Sequence, residues 1–301
     1  MFDWLWALFT VTAAAAQTAR NTLQRGLTER LGTVGATHVR FLYGMPFAAL
    51  FLMLVSLAVD DRPPPPSLSF IAWCCLGAVA QILATALMLA AMRARSFVVT
   101  IAYTKTEPVQ VALFAVVVLG ETLTPLMVGA ILIATAGVMI MSWPTGEKAA
   151  DALSWRPAVL GIAAGGMFAL AAVGFRGAIL ELGATGATSF VLAATTTLAW
   201  GLAIQAAGLS AWLALRDRAV LVDVLKAWRI SAVAGFMGAF ASQMWFLAFA
   251  LEQVARVRTL GLVEVLFAWA VSRNVLKQPT TGREVIGMVM VVAGVTAVVN
   301  G

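Results

Sequence analysis

Residues 25–37, RGLTERLGTVGAT, return at residues 176–188 as RGAILELGATGAT. The two segments agree at Arg25/Arg176, Gly26/Gly177, Leu31/Leu182, Gly32/Gly183, Gly35/Gly186, Ala36/Ala187 and Thr37/Thr188. Downstream the offset grows from 151 to 157, which then pairs Glu107 with Glu264 and Gly137 with Gly294. The extra residues fall in a longer loop expected at Leu209 to Ala227, against Asp60 to Ser67 in the first half. A chain built from one unit copied twice has to fold as two related halves.

The solvent of those halves follows from composition. Hydrophobic residues make up 61% and charged residues 11% of the chain, with a mean hydropathy of +0.93, whereas a soluble globule carries about 25% charged residues. Apolar runs cover residues 4–19, 33–59, 68–92, 97–119, 124–143, 157–180, 185–208, 228–251, 254–273 and 283–300. Each is close to the ~20 residues that cross a bilayer as a helix, and the longer ones can tilt. The expected fold is therefore an all-α integral membrane protein of ten transmembrane helices, five per half. Duplicating an odd number of spans inserts the second copy upside down, and inverted repeats are a hallmark of secondary transporters.

The joint lies between Trp143 and Trp155, where Pro144, Gly146, Glu147, Lys148 and Asp151 interrupt the apolar pattern. It divides the chain into a first repeat at 1–145, a linker at 146–156 and a second repeat at 157–301. No water-soluble domain is expected at either end. The first span begins without a basic n-region or a polar cleavage region, so it reads as a retained helix rather than a signal peptide. Adjacent Cys74 and Cys75 point in different directions around one helix and read as apolar residues, not a disulfide or a metal site.

A net charge of +6 would suggest nucleic acid as a partner of a soluble protein. In a membrane protein, basic loops are first a topology device. Arg62, Arg176, Arg256 and Arg258 fall on the side of the termini. Arg93, Arg95, Lys148, Arg156, Arg216, Arg218, Lys226, Arg229, Arg273, Lys277 and Arg283 fall on the other, which places the termini outside the cytoplasm by the positive-inside rule.

Pro108-Val109-Gln110 through Leu119-Gly120-Glu121, followed by Thr122-Leu123-Thr124, Gly129 and Gly137, resembles the end of an EamA repeat. That domain belongs to the drug/metabolite transporter superfamily, whose ten-helix members contain two inverted copies. Arg40, early in the second span, is similar to an arginine that many members carry. Val265 stands where the family usually has proline, Lys277-Gln278 where it has Gly-Glu, and Arg20-Asn21 where a Trp-Gly pair is commoner. The resemblance implies a small-molecule exporter of the inner (plasma) membrane, handling amino acids, aromatic compounds or other metabolites.

Glu107 and Glu264 are the leading site candidates. A carboxylate inside an apolar span costs roughly 2.5–3.5 kcal/mol, so it faces a cavity or a partner and marks a transport path. Both occupy the fourth helix of their repeats, which in an inverted fold places them near the pseudo-twofold axis and the bilayer midplane. Each can bind an ammonium group or carry a proton in exchange for substrate, since burial disfavours a carboxylate's charge. The competing reading is an ion pair that fixes helix packing. Lys105 lies roughly 200° around the helix from Glu107, so it is expected to meet an anionic group, meet a carboxylate of another helix, or reach for the interface. Arg258 is expected to snorkel.

Arg40 is open to substrate-carboxylate recognition or structural pairing, whereas Arg25 and Arg176 read as anchors of helix ends. Tyr103 and Trp245 are cavity candidates, although aromatic residues also gather at membrane interfaces; Gln81, Thr104, Gln110 and Gln243 can supply hydrogen bonds. Pro108 removes a backbone donor and frees a carbonyl one turn earlier, and its absence at Val265 predicts unequal bending of the two halves. Gly161/Gly165, Ala130/Ala134 and Ala293/Ala297 allow close helix approach, and the family resemblance extends this to a peripheral packing or homodimer role for the fifth and tenth helices. A single histidine, His38, makes a metal site improbable. No Walker loop, nucleophile elbow or dinucleotide fingerprint appears, so neither a cofactor nor an enzymatic or ATP-driven function is expected.

The composite reading is a secondary active transporter, an exporter of a small polar or amphipathic metabolite such as an amino acid or amine, working by alternating access with proton coupling. Two acids among buried bases suit a zwitterion. The alternatives are a lipid-handling membrane protein and a non-transporting membrane scaffold.

Overall fold

The computed structural model describes residues 4–94, 103–142, 155–183, 188–274 and 281–301. Among them every regular element is helical: α1 (Leu5–Leu42), α2 (Gly44–Val59), α3 (Leu68–Ala94), α4 (Glu107–Leu119), α5 (Pro125–Ser142), α6 (Trp155–Gly183), α7 (Phe190–Arg216), α8 (Arg218–Lys226), α9 (Trp228–Leu251), α10 (Val254–Leu260), a 3-10 turn (Gly261–Val263), α11 (Glu264–Asn274) and α12 (Gly282–Asn300). Seven helical stretches in the described residues are long and apolar enough to cross a membrane: Leu31–Val59, Leu68–Met88, Pro125–Ser142, Ala158–Gly183, Phe190–Arg216, Trp228–Leu251 and Gly282–Asn300. Three of the ten expected runs differ. The run at 4–19 lies inside α1, the run at 97–119 is partly outside the described residues, and the run at 254–273 is cut into two helices by the 3-10 turn.

The repeated block explains one break. Gly32 sits inside α1 at φ 67 and ψ 175, a backbone region essentially confined to glycine. Leu5–Leu42 is thus two helices joined at Gly32, and the first stays helical well beyond the expected end at residue 19. Its counterpart, Gly183, is the last residue of α6.

The chain forms two compact units, Met1–Val79 with Gly174–Glu252, and Ala80–Val173 with Gln253–Gly301. Each takes a stretch from both sequence halves, so the units are distinct from the expected repeats.

In the first unit, α1 packs along α9, and α2 and α9 pack on α7. Glycines set these approaches. A Cβ on Gly235 of α9 would stand 2.6 Å from the backbone carbon of Tyr43, and one on Gly174 of α6 would stand 2.7 Å from the Gly77 nitrogen of α3. Such contacts replace the hydrophobic drive that lipid withholds from helix association.

The expected loop at Leu209 to Ala227 is instead the end of α7 followed by α8. Asp217 caps α8 by accepting from Val220 N–H at 3.3 Å, the side-chain role that favours Asp at this position. Val224 is fully buried with Ala36, Val39 and Ala234, and Val220 packs on the same cluster. The Tyr43 hydroxyl also holds the end of α8, donating to the Val224 carbonyl at 3.1 Å and to that of Leu225 at 3.2 Å. Tyr43→Phe is expected to cost about 0.5–1.5 kcal/mol and to speed amide exchange selectively across 218–226. Unchanged exchange there would mean that Val220 and Val224 alone hold the helix.

In the second unit, α5 lies against α12 and α10 against α4. The α5–α12 contact runs through Gly137, Gly287 and Gly294, with Ala130 and Ala134 facing Gly294. Of the expected small-residue pairs, Ala130/Ala134 is used within the chain. Ala293 is exposed, and Gly294 makes the approach in its place.

Candidate functional site

The two acids open helices within the second unit. Glu107 is the first residue of α4, with Pro108 in its first turn. There the missing proline N–H costs nothing, because the first donors of a helix have no partner within it. Residues 103–104 are helical and Lys105 and Thr106 form a turn, so the backbone breaks just before the acid. Glu264 is the first residue of α11, directly after the 3-10 turn. The second half therefore breaks at the matching place without a proline. Both carboxylates stand where the positive end of a helix dipole favours negative charge.

Each acid is held by a base from the other sequence half. Glu107 Oε1 accepts from Arg258 Nη2, and Glu264 Oε1 accepts from Lys105 Nζ. The side chains are 13% and 19% exposed in the first pair, and 18% and 21% in the second, reading the acid first. Lys105 thus meets a carboxylate of another helix, one of its expected roles. Arg258 is not a snorkelling residue: from the last turn of α10 it reaches across to Glu107. Arg258 and Glu264 do not share a helix, because the 3-10 turn Gly261–Val263 lies between them.

Around this centre, Thr106 Oγ1 donates to the Tyr103 carbonyl at 2.8 Å and accepts from Gln110 Nε2 at 2.8 Å. Gln110 Nε2 also lies 3.3 Å from the Ile162 carbonyl of α6. Room for Gln110 comes from Gly165 and Gly166: a Cβ on Gly166 would stand 2.6 Å from Gln110 Oε1. Tyr103 is half-buried, two residues from Lys105. A cavity of about 390 Å³ lies beside Thr106 and Gln110, lined otherwise by Val109, Leu132, Thr135, Ala136, Met139 and Ile162, so its walls are mainly apolar.

The Leu119-Gly120-Glu121 segment has a physical role here. Gly120, at φ 68, ends α4 in the left-handed region, and Glu121 N–H returns to the Ala115 carbonyl at 3.1 Å, the closing bond of a glycine-dependent helix end. Glu121 Oε1 then accepts from Val254 N–H at 3.4 Å, at the start of α10. One acidic side chain thereby ties the end of α4 to the helix that carries Arg258. The equivalent Lys277-Gln278 lies outside the described residues.

The first unit holds the other two candidates. Arg40 is half-buried, and its stem packs on α9 where a Cβ on Gly238 would stand 3.2 Å from Arg40 Cγ and 3.6 Å from Cδ of buried Arg20. Trp245 is buried, donates to Gln17 Oε1 at 3.2 Å and stacks on Phe249 with ring centres 6.1 Å apart. Gln243 donates to Thr195 at 2.8 Å, and Arg176 donates to the Phe249 carbonyl in the last turn of α9. The anchoring role expected for Arg176 is thus directed at another helix's end. His38 is buried, with Nε2 2.9 Å from Ser210 Oγ.

Four candidates, Lys105, Glu107, Glu264 and Tyr103, thus belong to the second unit, and Arg40 and Trp245 to the first. Sequence reasoning missed Arg258 as a partner and Glu121 as a cap. The Gly120 turn was a usable signal for the second; nothing local marks the first.

Comparison with known proteins gives a fold and a family match over part of the chain. A solved crystal structure superposes with a TM-score of 0.67 at 13% identity, covering 97% of this chain and 94% of its own, which establishes the fold as one already observed. No curated protein matches the sequence. The model of the EamA-like transporter family matches residues 4–143, and with seven helices among the described residues long and apolar enough to cross a membrane the protein is a multi-pass membrane protein. Over residues 4–143 the chain is thus similar to the EamA-like transporter family.

Proposed function

We propose that the protein is a secondary active transporter that exports a small polar or amphipathic metabolite, such as an amino acid or amine, from the cell across the inner (plasma) membrane, in exchange for protons. Under this reading residues 1–145 and 157–301 are inverted five-helix repeats joined by 146–156, giving ten spans that work by alternating access.

The observation that carries the proposal is the crossed pair of ion bridges, Glu107 with Arg258 and Lys105 with Glu264, at two helix breaks. Broken helices whose ends face charged groups are how transporters bind ions and substrates at membrane depth. A partly exposed pair can exchange partners. An ammonium group displaces the base from its carboxylate, a substrate carboxylate takes up the freed base, protonation of the acid releases the ammonium group, and deprotonation lets the base return and frees the substrate carboxylate. Arg40 and Trp245 stand as substrate-contact candidates from the first unit. A homodimer would form outside the α5–α12 contact, since that face is used within the chain.

The test is a flux screen in proteoliposomes with amino acids, amines and nucleobase-like metabolites, with and without a pH gradient, comparing wild type with Glu107→Gln/Glu264→Gln. Gradient-sensitive flux that disappears in a folded variant is the expected result. The ion pairs also favour a second reading, in which they only fasten α10 and α11 to the first-half segment. That reading predicts reduced folding with flux per folded molecule unchanged. No flux of any class through folded wild type would sink transport itself.

A further inference from the structure

Helix α8 has two faces. Val224 is buried and Val220 half-buried against α1 and α9, while Val222 is 45% and Leu225 53% exposed. At 100° per residue, Leu225, Arg218, Val222 and Lys226 follow one another around about 100° of the opposite face. Asp223 falls outside that arc, and Asp217 is engaged as the cap. The outward face is therefore an apolar strip whose charged neighbours are both basic.

The ends of the adjoining spans continue this surface. Trp212 and Leu215 of α7, and Trp228 of α9, are exposed, and Arg229 stands over the Trp228 ring with its guanidinium carbon 5.4 Å from the centre. Tryptophan gathers at the level of lipid headgroups because its ring is apolar and its N–H is polar. Apolar side chains flanked by cations on a helix between two spans match a helix lying in the interface, not one standing in water.

We propose that α8 is an interfacial helix that binds anionic phospholipid, with Arg218, Lys226 and Arg229 on the phosphate-bearing headgroups and Val222 and Leu225 among the upper acyl carbons. Charge complementarity and continuity with the lipid-facing spans identify the occupant. The helix is preorganised for it: Val224 and the Tyr43 hydroxyl hold its inner side, so little ordering remains to be supplied when lipid binds. This inference does not depend on what the protein transports.

The experiment is native mass spectrometry of detergent-solubilised protein titrated with phosphatidylglycerol or phosphatidylcholine. Each basic residue near an anionic surface contributes about a fivefold preference. Wild type is expected to retain phosphatidylglycerol selectively, and Arg218→Gln/Lys226→Gln/Arg229→Gln to lose about two orders of magnitude of that preference. Its thermal unfolding should stay near wild type, because all three side chains are exposed. Arg62→Gln, at an exposed residue just beyond α2, should keep the preference. Equal binding of the two lipids, a preference that survives in the triple variant, or an equal loss in Arg62→Gln overturns the proposal. Conversion of a wild-type dimer to monomer by the triple variant, without lipid selectivity, would assign the face to a second copy and overturn it as well.

Discussion

Exchanging the charges of one ion pair, as Glu107→Arg with Arg258→Glu, is expected to restore folding without restoring transport. Glu107→Gln alone removes the carboxylate that pairs with the Arg258 guanidinium, which is 19% exposed, and losing a hydrogen bond to a charged group costs about 1.5–3 kcal/mol. The exchange rebuilds the pair and should recover most of that loss. Recovery stays incomplete because the native polarity suits the backbone: Glu107 stands in the first turn of α4 and Arg258 in the last turn of α10. Reversing a charge at a helix end costs about 0.3–1 kcal/mol at each site. Flux is expected to remain at least about 100-fold below wild type, equivalent to about 2.7 kcal/mol in the barrier, because the carboxylate has moved to another helix. Detergent melting curves and proteoliposome flux of wild type, single variant and exchange measure both quantities. Flux that returns together with stability would make the pair a structural fastening.

Two glycines of one helix are expected to respond in opposite directions to the same methyl group. A Cβ on Gly137 would stand 2.7 Å from the Gly287 carbonyl oxygen, 2.8 Å from Met290 Cβ and 2.9 Å from the Val291 nitrogen. Two of those neighbours are backbone, so α5 and α12 must separate to admit it. Gly294→Ala meets the same obstacle, at 2.6 Å from the Ala130 carbonyl oxygen. Overpacking of this kind costs about 1–3 kcal/mol, and since the separation loosens the whole contact, Gly137→Ala should fall at the upper end or beyond. Gly129, on the same helix, has nothing within 4 Å of its Cβ position. There alanine should be neutral or gain about 0.5–1 kcal/mol through helix propensity. Unfolding of the three variants in one detergent checks this, and a Gly137→Ala protein as stable as Gly129→Ala would show that the two helices do not approach this closely.

Hydropathy and duplication are legible in the chain because both are carried by residues close together in sequence. Most of the apolar runs reappear as helices, and the matched offset puts Glu107 and Glu264 at the starts of α4 and α11. The misreadings have a common source. A long apolar run at 254–273 looks continuous, yet Gly261–Val263 tightens into a 3-10 turn, and hydropathy does not register a change of backbone winding. The segment at 218–226 carries enough charge to pass for a loop. Its helicity follows from Val220 and Val224 packing against α1 and α9, partners remote in sequence.

By itself the sequence determined the solvent of this protein, its helical class and the two acids that membrane burial makes expensive. Each of these is a property of single residues or short windows, set by transfer free energy and helix geometry. Only the tertiary structure decided that Glu107 pairs with Arg258 and Glu264 with Lys105, that Glu121 caps α10, and that α5 packs on α12 through Gly137, Gly287 and Gly294. Those are choices among partners far apart in the chain. They are made by which backbones can approach and which charges then lie within reach, and no local pattern encodes that.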